Sequence, residues 1–135
     1  MAAAYDGIAA EYDRLVAEDA WMRERLWAHH LRRFRAGDRV LDVACGTGLD
    51  TLHLAARGLR MTGVDASLGM LAALRRKAAA RDLAGSVAVC AADAACLEGW
   101  PAGCAQVRGT SVAINKAIAK TVRDMAQTPG MESPA

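Results

Sequence analysis

Aromatic side chains are scarce in this chain of 135 residues: three Trp, two Tyr and one Phe, 4% of the total. A core built without them rests on aliphatic groups. Much of the 53% hydrophobic fraction is alanine, which buries little area per residue, so the expected core is thin. None of the four cysteines (45, 90, 96 and 104) falls in a Cys-x-x-Cys pair, and His29, His30 and His53 add no ligand spacing. That excludes a zinc site, and no metal is expected. No apolar run reaches the ~18 residues that would suggest a membrane span. Basic clusters are missing too: a formal charge of +2 and a pI near 8.5 are too small a bias for a nucleic-acid partner. The stretch from Met1 to Asp13 lacks the basic-then-apolar pattern of a secretory leader, so a soluble cytoplasmic protein with reduced thiols is expected. There is no internal repeat or low-complexity tract, and the length suits one domain.

What is present has a clear order. Tyr5 to Phe34 reads as helical, with Asp19 as a cap, Met22, Leu26, Trp27, Leu31 and Phe34 on one face and Arg23, Arg25, Arg32 and Arg33 towards water. His29 and His30 read as solvated neighbours on that helix, and Trp21 and Trp27 as packing residues. Gly37-Asp38 ends the helix, and the apolar run 39–43 reads as a buried strand. A glycine turn, Cys45-Gly46-Thr47-Gly48, leads into a helix stopped by Gly58. A second strand from Arg60 ends in Asp65. Ser67 caps a helix reaching about Arg81, with Met70, Leu71 and Leu74 inward, and a third strand spans 86–91. Strand and helix alternating over short connections predicts an α/β fold, a parallel sheet of right-handed crossovers in the order 3-2-1.

Three features then fall at the carboxyl ends of successive strands, where open α/β sheets bind ligands. The glycines at 46 and 48 permit close approach to the backbone, and the following helix offers free N–H groups at its positive end. Taken alone, such a turn is equally consistent with plain chain reversal. Asp65 lies 19 residues beyond Gly46, the spacing at which a carboxylate accepts the two hydroxyls of a ribose. Asp93 follows the third strand and suits an adenine amino group, though aspartate is common in turns of no function. A dinucleotide fingerprint would place a third glycine where Thr51 stands. Asp42 and Asp50 flank the loop, and no Lys or Arg occurs between Val40 and Ala56. Those acids oppose a pyrophosphate and suit a nucleoside carrying a sulfonium and an ammonium group. The residues therefore favour S-adenosylmethionine over NAD.

With those residues in view, the segment 40–48 (Val-Leu-Asp-Val-Ala-Cys-Gly-Thr-Gly) resembles the first motif of class I S-adenosylmethionine-dependent methyltransferases. The stretch 61–71 resembles the segment after it, 91–94 (Ala-Ala-Asp-Ala) resembles the next motif, and 5–13 (Tyr-Asp-Gly-Ile-Ala-Ala-Glu-Tyr-Asp) is similar to the N-terminal cap of small-molecule members of the ubiquinone and menaquinone type. The resemblance implies a Rossmann-like sheet of seven strands and transfer of a methyl group to a small-molecule acceptor. It also implies roles. Gly46 and Gly48 approach the methionine portion, with Asp42 and the Ala44–Cys45 backbone near its amino group. Asp65 holds the ribose, Ala66 and Met70 lie against the adenine, Asp93 and Ala94 read its edge, and Tyr12 closes over the methionine carboxylate. Ala44 stands where many members have glycine, and its methyl is expected to be tolerated. No catalytic side chain is assigned, because alignment of acceptor and methyl carries such a transfer. Cys45 reads as a small buried hydrophobe rather than a reactive thiol.

Beyond Trp100 the pattern changes. No family-like fourth strand is evident, residues 104–109 offer no strand, and Thr110 to Gln127 reads as one amphipathic helix before a frayed end. The expected organisation is a helical cap over 1–37, a cofactor-binding core over 38–100 and a tail unlike the family over 101–135. This reading expects a truncated or frameshifted copy, with an engineered fragment or a domain completed by a partner as the other origins. Its first strand would present an open edge prone to self-association. Two other functions stand beside the methyltransferase: a non-catalytic nucleoside-binding fragment that needs a partner, and a disfavoured NAD-dependent enzyme.

Overall fold

The computed structural model describes residues 2–93 and 111–113. Two short helices, α1 (Ala2–Ile8) and α2 (Tyr12–Leu15), and a 3-10 turn (Ala17–Asp19) precede α3 (Ala20–Leu31). The alternating part follows as β1 (Arg39–Val43), α4 (Leu49–Ala55), β2 (Arg60–Asp65), α5 (Leu68–Ala80) and β3 (Val87–Ala91), with β4 at Ser111–Ala113. The four strands are all parallel in the order β3-β2-β1-β4. Val40 lies opposite Met61, and Met61 opposite Val87, so one aliphatic row crosses the first three strands as expected.

The core is aliphatic and small. Val40, Leu54, Ala55, Leu59 and Met61 form one cluster, closed by Leu31 and Phe34 of the N-terminal helix and its exit. Leu52, Leu71, Leu74, Ala78 and Cys45 form a second, between α4, α5 and the sheet. Each large aliphatic in these clusters contributes roughly 1.5–3 kcal/mol through burial. α5 starts as expected, with Ser67 Oγ accepting from Met70 N at 3.1 Å. Gly58 ends the α4 region at a φ of 90°.

Several expectations are corrected here. The helical stretch from Tyr5 to Phe34 is three helices, and its faces differ from the periodic reading. Met22 and Trp21 are exposed, Arg23 turns inward, and His30 is buried while His29 is not. Asp19 occupies the N-cap position of α3 without a side-chain cap bond. Ser111–Ala113 form a strand where a helix was expected to begin, and this strand pairs with β1 at Val40 and Leu41. The β1 edge expected to lie open is thus occupied at those residues. Residues 114–127 of the anticipated helix, and Ala94, lie outside the described residues. No described helix is long and apolar enough to cross a membrane.

Candidate functional site

The exits of β1, β2 and β3 are tied to one another through the backbone. Cys45 N donates to Val64 O at 3.0 Å, and Ala92 N donates to Asp65 O at 3.1 Å. This lacing brings the glycine loop, Asp65 and the start of the Asp93 turn to one rim. Within the loop, Ala44, Gly46 and Gly48 have φ values of 58°, 57° and 81°. Glycine takes such angles freely. Ala44 does not, so its departure from the family pattern is a matter of backbone strain as well as of one methyl group. Gly48 has a second reason to lack a side chain: a Cβ there would meet Leu74 Cδ1 at 2.1 Å. The close turn lets α4 start at Leu49 against the sheet.

Asp65 points into this loop. Its Oδ2 accepts from Gly46 N and its Oδ1 from Ser67 N, both at 2.9 Å. Each carboxylate oxygen retains a further lone pair, so the group can hold the loop and still accept hydroxyls. The half-buried carboxylate is fixed in direction by the backbone of two loops, which is the preorganisation a ribose-binding acid requires.

The remaining residues expected at the site separate into two groups. Ala44, Ala66 and Asp93 lie exposed around the rim, and Gly46 is half-buried beside Tyr12. The carbon Cε1 of Tyr12 lies 3.7 Å from where a Cβ on Gly46 would be. Burial raises the Tyr12 hydroxyl above its ordinary range, with Arg23 partly opposing. Cys45 and Met70, by contrast, are buried. Met70 presents no free side-chain surface for the adenine contact the resemblance implied. Cys45 packs among Leu52, Leu71 and Leu74, and burial, with Asp42 and Asp65 adding to it, raises its thiol well above the ordinary value. It is no thiolate nucleophile.

Asp42 lies beneath the loop, with no exposed surface. Thr51 Oγ1 donates to its Oδ2 at 2.6 Å, and burial raises its pKa to about 7 despite that bond. Thr51 therefore joins strand to helix where a dinucleotide fold would use a third glycine. Asp50 is engaged as well. Trp27 Nε1 donates to it at 2.7 Å, Arg23 lies 3.4 Å away, and the Trp27 ring stacks on His53 with centroids 3.8 Å apart. The two acids taken from the sequence as repelling a pyrophosphate are thus committed to protein partners. Thr51 remains the stronger argument against a dinucleotide.

Sequence reading missed the contacts made by Asp6, Asp13, Arg23 and Lys77. Asp6 accepts from Ser67 Oγ at 2.5 Å and from Gly69 N at 2.7 Å, and Asp13 accepts from the Thr47 hydroxyl and from Lys77 Nζ, the latter at 2.7 Å. Nothing local marks these pairs, which join residues 27 to 64 positions apart. The only available signal was the position of both acids inside the 5–13 motif.

A parallel sheet whose first crossover carries a glycine loop, with an acid after β2 aimed at that loop, places these residues where open α/β proteins take their ligands. Comparison with known proteins narrows this. The methyltransferase domain family model matches residues 40–127, well past the point where the sequence reading lost the resemblance, and the chain belongs to that family. Demethylmenaquinone methyltransferase of Mycobacterium marinum is 38% identical over 76 residues, 54% of this chain and 33% of that protein. The enzyme of the same name from Symbiobacterium thermophilum is 42% identical over 86 residues, 56% of this chain and 33% of its own. The chain thus spans about a third of the length of these relatives. Among solved structures, the DhpI-SAM-HEP complex matches with a TM-score of 0.52 at 28% identity, over 67% of this chain and 40% of that one.

Proposed function

We propose that this chain binds S-adenosylmethionine across the glycine loop and serves methyl transfer to a small-molecule acceptor. The observation that carries the reading is the Asp65 carboxylate, held by Gly46 N and Ser67 N at 2.9 Å and aimed at the loop. The methyltransferase names of the relatives and the SAM and SAH complexes of DhpI support it. Asp65 would receive the ribose hydroxyls, and Gly46 and Gly48 would let the methionine portion approach the backbone. Tyr12 would cover that portion, with Asp93 beside the adenine. Asp42, from beneath, would act on the amino group through the loop rather than by open contact.

When bound, this cofactor supplies an electrophilic methyl group on sulfur. The protein's part is to hold the nucleoside and exclude water, and the transfer requires no protein nucleophile. Among the described residues this agrees with Cys45, which is buried and whose thiol burial raises well above its ordinary value.

Calorimetric titration of the chain with S-adenosylmethionine tests the reading. Saturable binding is expected, and Asp65→Ala should weaken it on the order of a hundredfold through loss of charge-assisted bonds. Asp65→Asn, which keeps an acceptor for the loop, should fall between. Equal affinity in all three proteins would remove the assignment.

A further inference from the structure

The N-terminal segment is fastened across the rim at two points. Asp6 holds the start of α5 through Ser67 Oγ and Gly69 N. Asp13 takes the Thr47 hydroxyl on one oxygen and Lys77 Nζ at 2.7 Å on the other. Between these anchors in the chain stands Tyr12, whose ring carbon Cε1 sits 3.7 Å from where a Cβ on Gly46 would be, in van der Waals reach of that position. A glycine kept free of a side chain so that a ligand can approach is here covered by a side chain of the same chain. A nucleoside reaching the Gly46 backbone must displace that ring or wait for it to move.

We propose that Asp13 and Lys77 are positioning residues: they latch Tyr12 over Gly46, and a nucleoside enters or leaves the glycine loop only while that latch is open. The inference rests on the nucleoside reading of the loop given above. Its strength comes from geometry. Asp13 immediately follows Tyr12, so holding the carboxylate holds the turn of backbone that carries the ring. Thr47 immediately follows Gly46, so the bond to Asp13 joins the two neighbours of the covered contact. Lys77 reaches over from α5, the helix whose start Asp6 already holds, and closes the strap onto the body of the domain. Burial works against the Asp13 carboxylate, but Lys77 and Thr47 outweigh it and keep the carboxyl below its ordinary range. The pair is partly exposed, with side-chain exposures of 42% for Asp13 and 21% for Lys77. It is therefore strong enough to hold and weak enough to release, and salt should loosen it.

The experiment uses the full chain and two readouts. Release of labelled S-adenosylmethionine from Lys77→Met and from Asp13→Asn should be faster than from the parent on the order of tenfold. Association should speed up as well, so that affinity changes less than either rate. The double variant should match the single ones, because one pair is being broken twice. Without any nucleoside, amide exchange at residues 44–48 should quicken in the same variants, and Lys77→Arg should restore the parent behaviour in both measurements. Release rates indifferent to Lys77, or additive effects of the two substitutions, would overturn the latch while leaving the nucleoside site intact. A parent chain that takes up no nucleoside overturns the reading of the site and the gate together.

Discussion

The sheet with its glycine loop and the N-terminal helices that cover it are held by different forces. From β1 to β3 the structure depends on backbone bonds and on side chains with almost no exposed surface, such as Leu52, Leu54, Leu74 and Val64. From α1 to α3 the described residues bury one side chain, His30. That region is attached by polar contacts: Asp6 to Ser67, Asp13 to Lys77, and Arg23 and Trp27 to Asp50. Tyr5, Ile8, Leu15, Trp21 and Met22 remain exposed. Apolar burial is cooperative and intolerant of shape change, whereas partly exposed ion pairs contribute little and break individually. On the proposed reading, the rigid part presents the ligand surface and the loosely held part regulates access to it.

Gly48→Ala should separate the two regions most sharply. The new methyl would overlap Leu74 at 2.1 Å, at a φ of 81° that disfavours any L side chain. Left-handed strain and forced repacking together should cost about 4 kcal/mol. Urea unfolding would show this as a lower midpoint at unchanged slope. A near-neutral result would mean the loop and α5 are not packed as described.

Asp42→Asn comes next, and its effect depends on pH. Burial raises the folded pKa of Asp42 to about 7, above its ordinary value. The neutral form is therefore the one that folding favours. Stability from this group is fully present below the ordinary carboxylate pKa and is lost as pH rises towards 7, at up to about 1.4 kcal/mol per pH unit. Asparagine keeps an oxygen for Thr51 and cannot ionise. The variant should match the parent near pH 4 and exceed it by roughly 4 kcal/mol at pH 8. Parallel stability curves for the two proteins would contradict the buried, ionisable assignment. On the other side of the comparison, Lys77→Met should lower stability by no more than about 1 kcal/mol, although it accelerates exchange at the loop.

How far the sequence could be read follows the same division. The first three strands, their order and the placement of Asp65 were legible because each depends on local chemistry: an apolar run, a glycine at a positive φ, an acid at a strand exit. Ser67 as the cap of α5 was legible for the same reason. The faces of α3 were not, because Arg23 is turned inward by Asp50, 27 residues later, and nothing in its own neighbourhood records that partner. Met70 was assigned to the ligand because the motif suggested it, whereas the fold leaves it almost no exposed surface. The fourth strand escaped notice because, among the described residues beyond Asp93, three, Ser111–Ala113, join the sheet. They do so with a register shift against Val40 and Leu41, and three residues carry no period.

Ala44 is where the sequence reading came closest to the structure and still missed the reason. The methyl group itself has room, since the residue is exposed on the rim. What it strains is the backbone, held at a φ of 58° by the turn between β1 and the loop. An alanine in that region gives up about 1–2 kcal/mol, while a glycine loses roughly 0.5–1 kcal/mol in chain entropy on folding. Ala44→Gly should therefore stabilise the chain by about 0.5–1 kcal/mol and raise its melting midpoint by about 2–4 °C. It should leave nucleoside affinity unchanged, because the Asp65 clamp on Gly46 does not involve residue 44. A lower midpoint would show that Ala44 is not held in the left-handed region. Weaker binding at an unchanged midpoint would show that the strained residue orients the loop for its ligand.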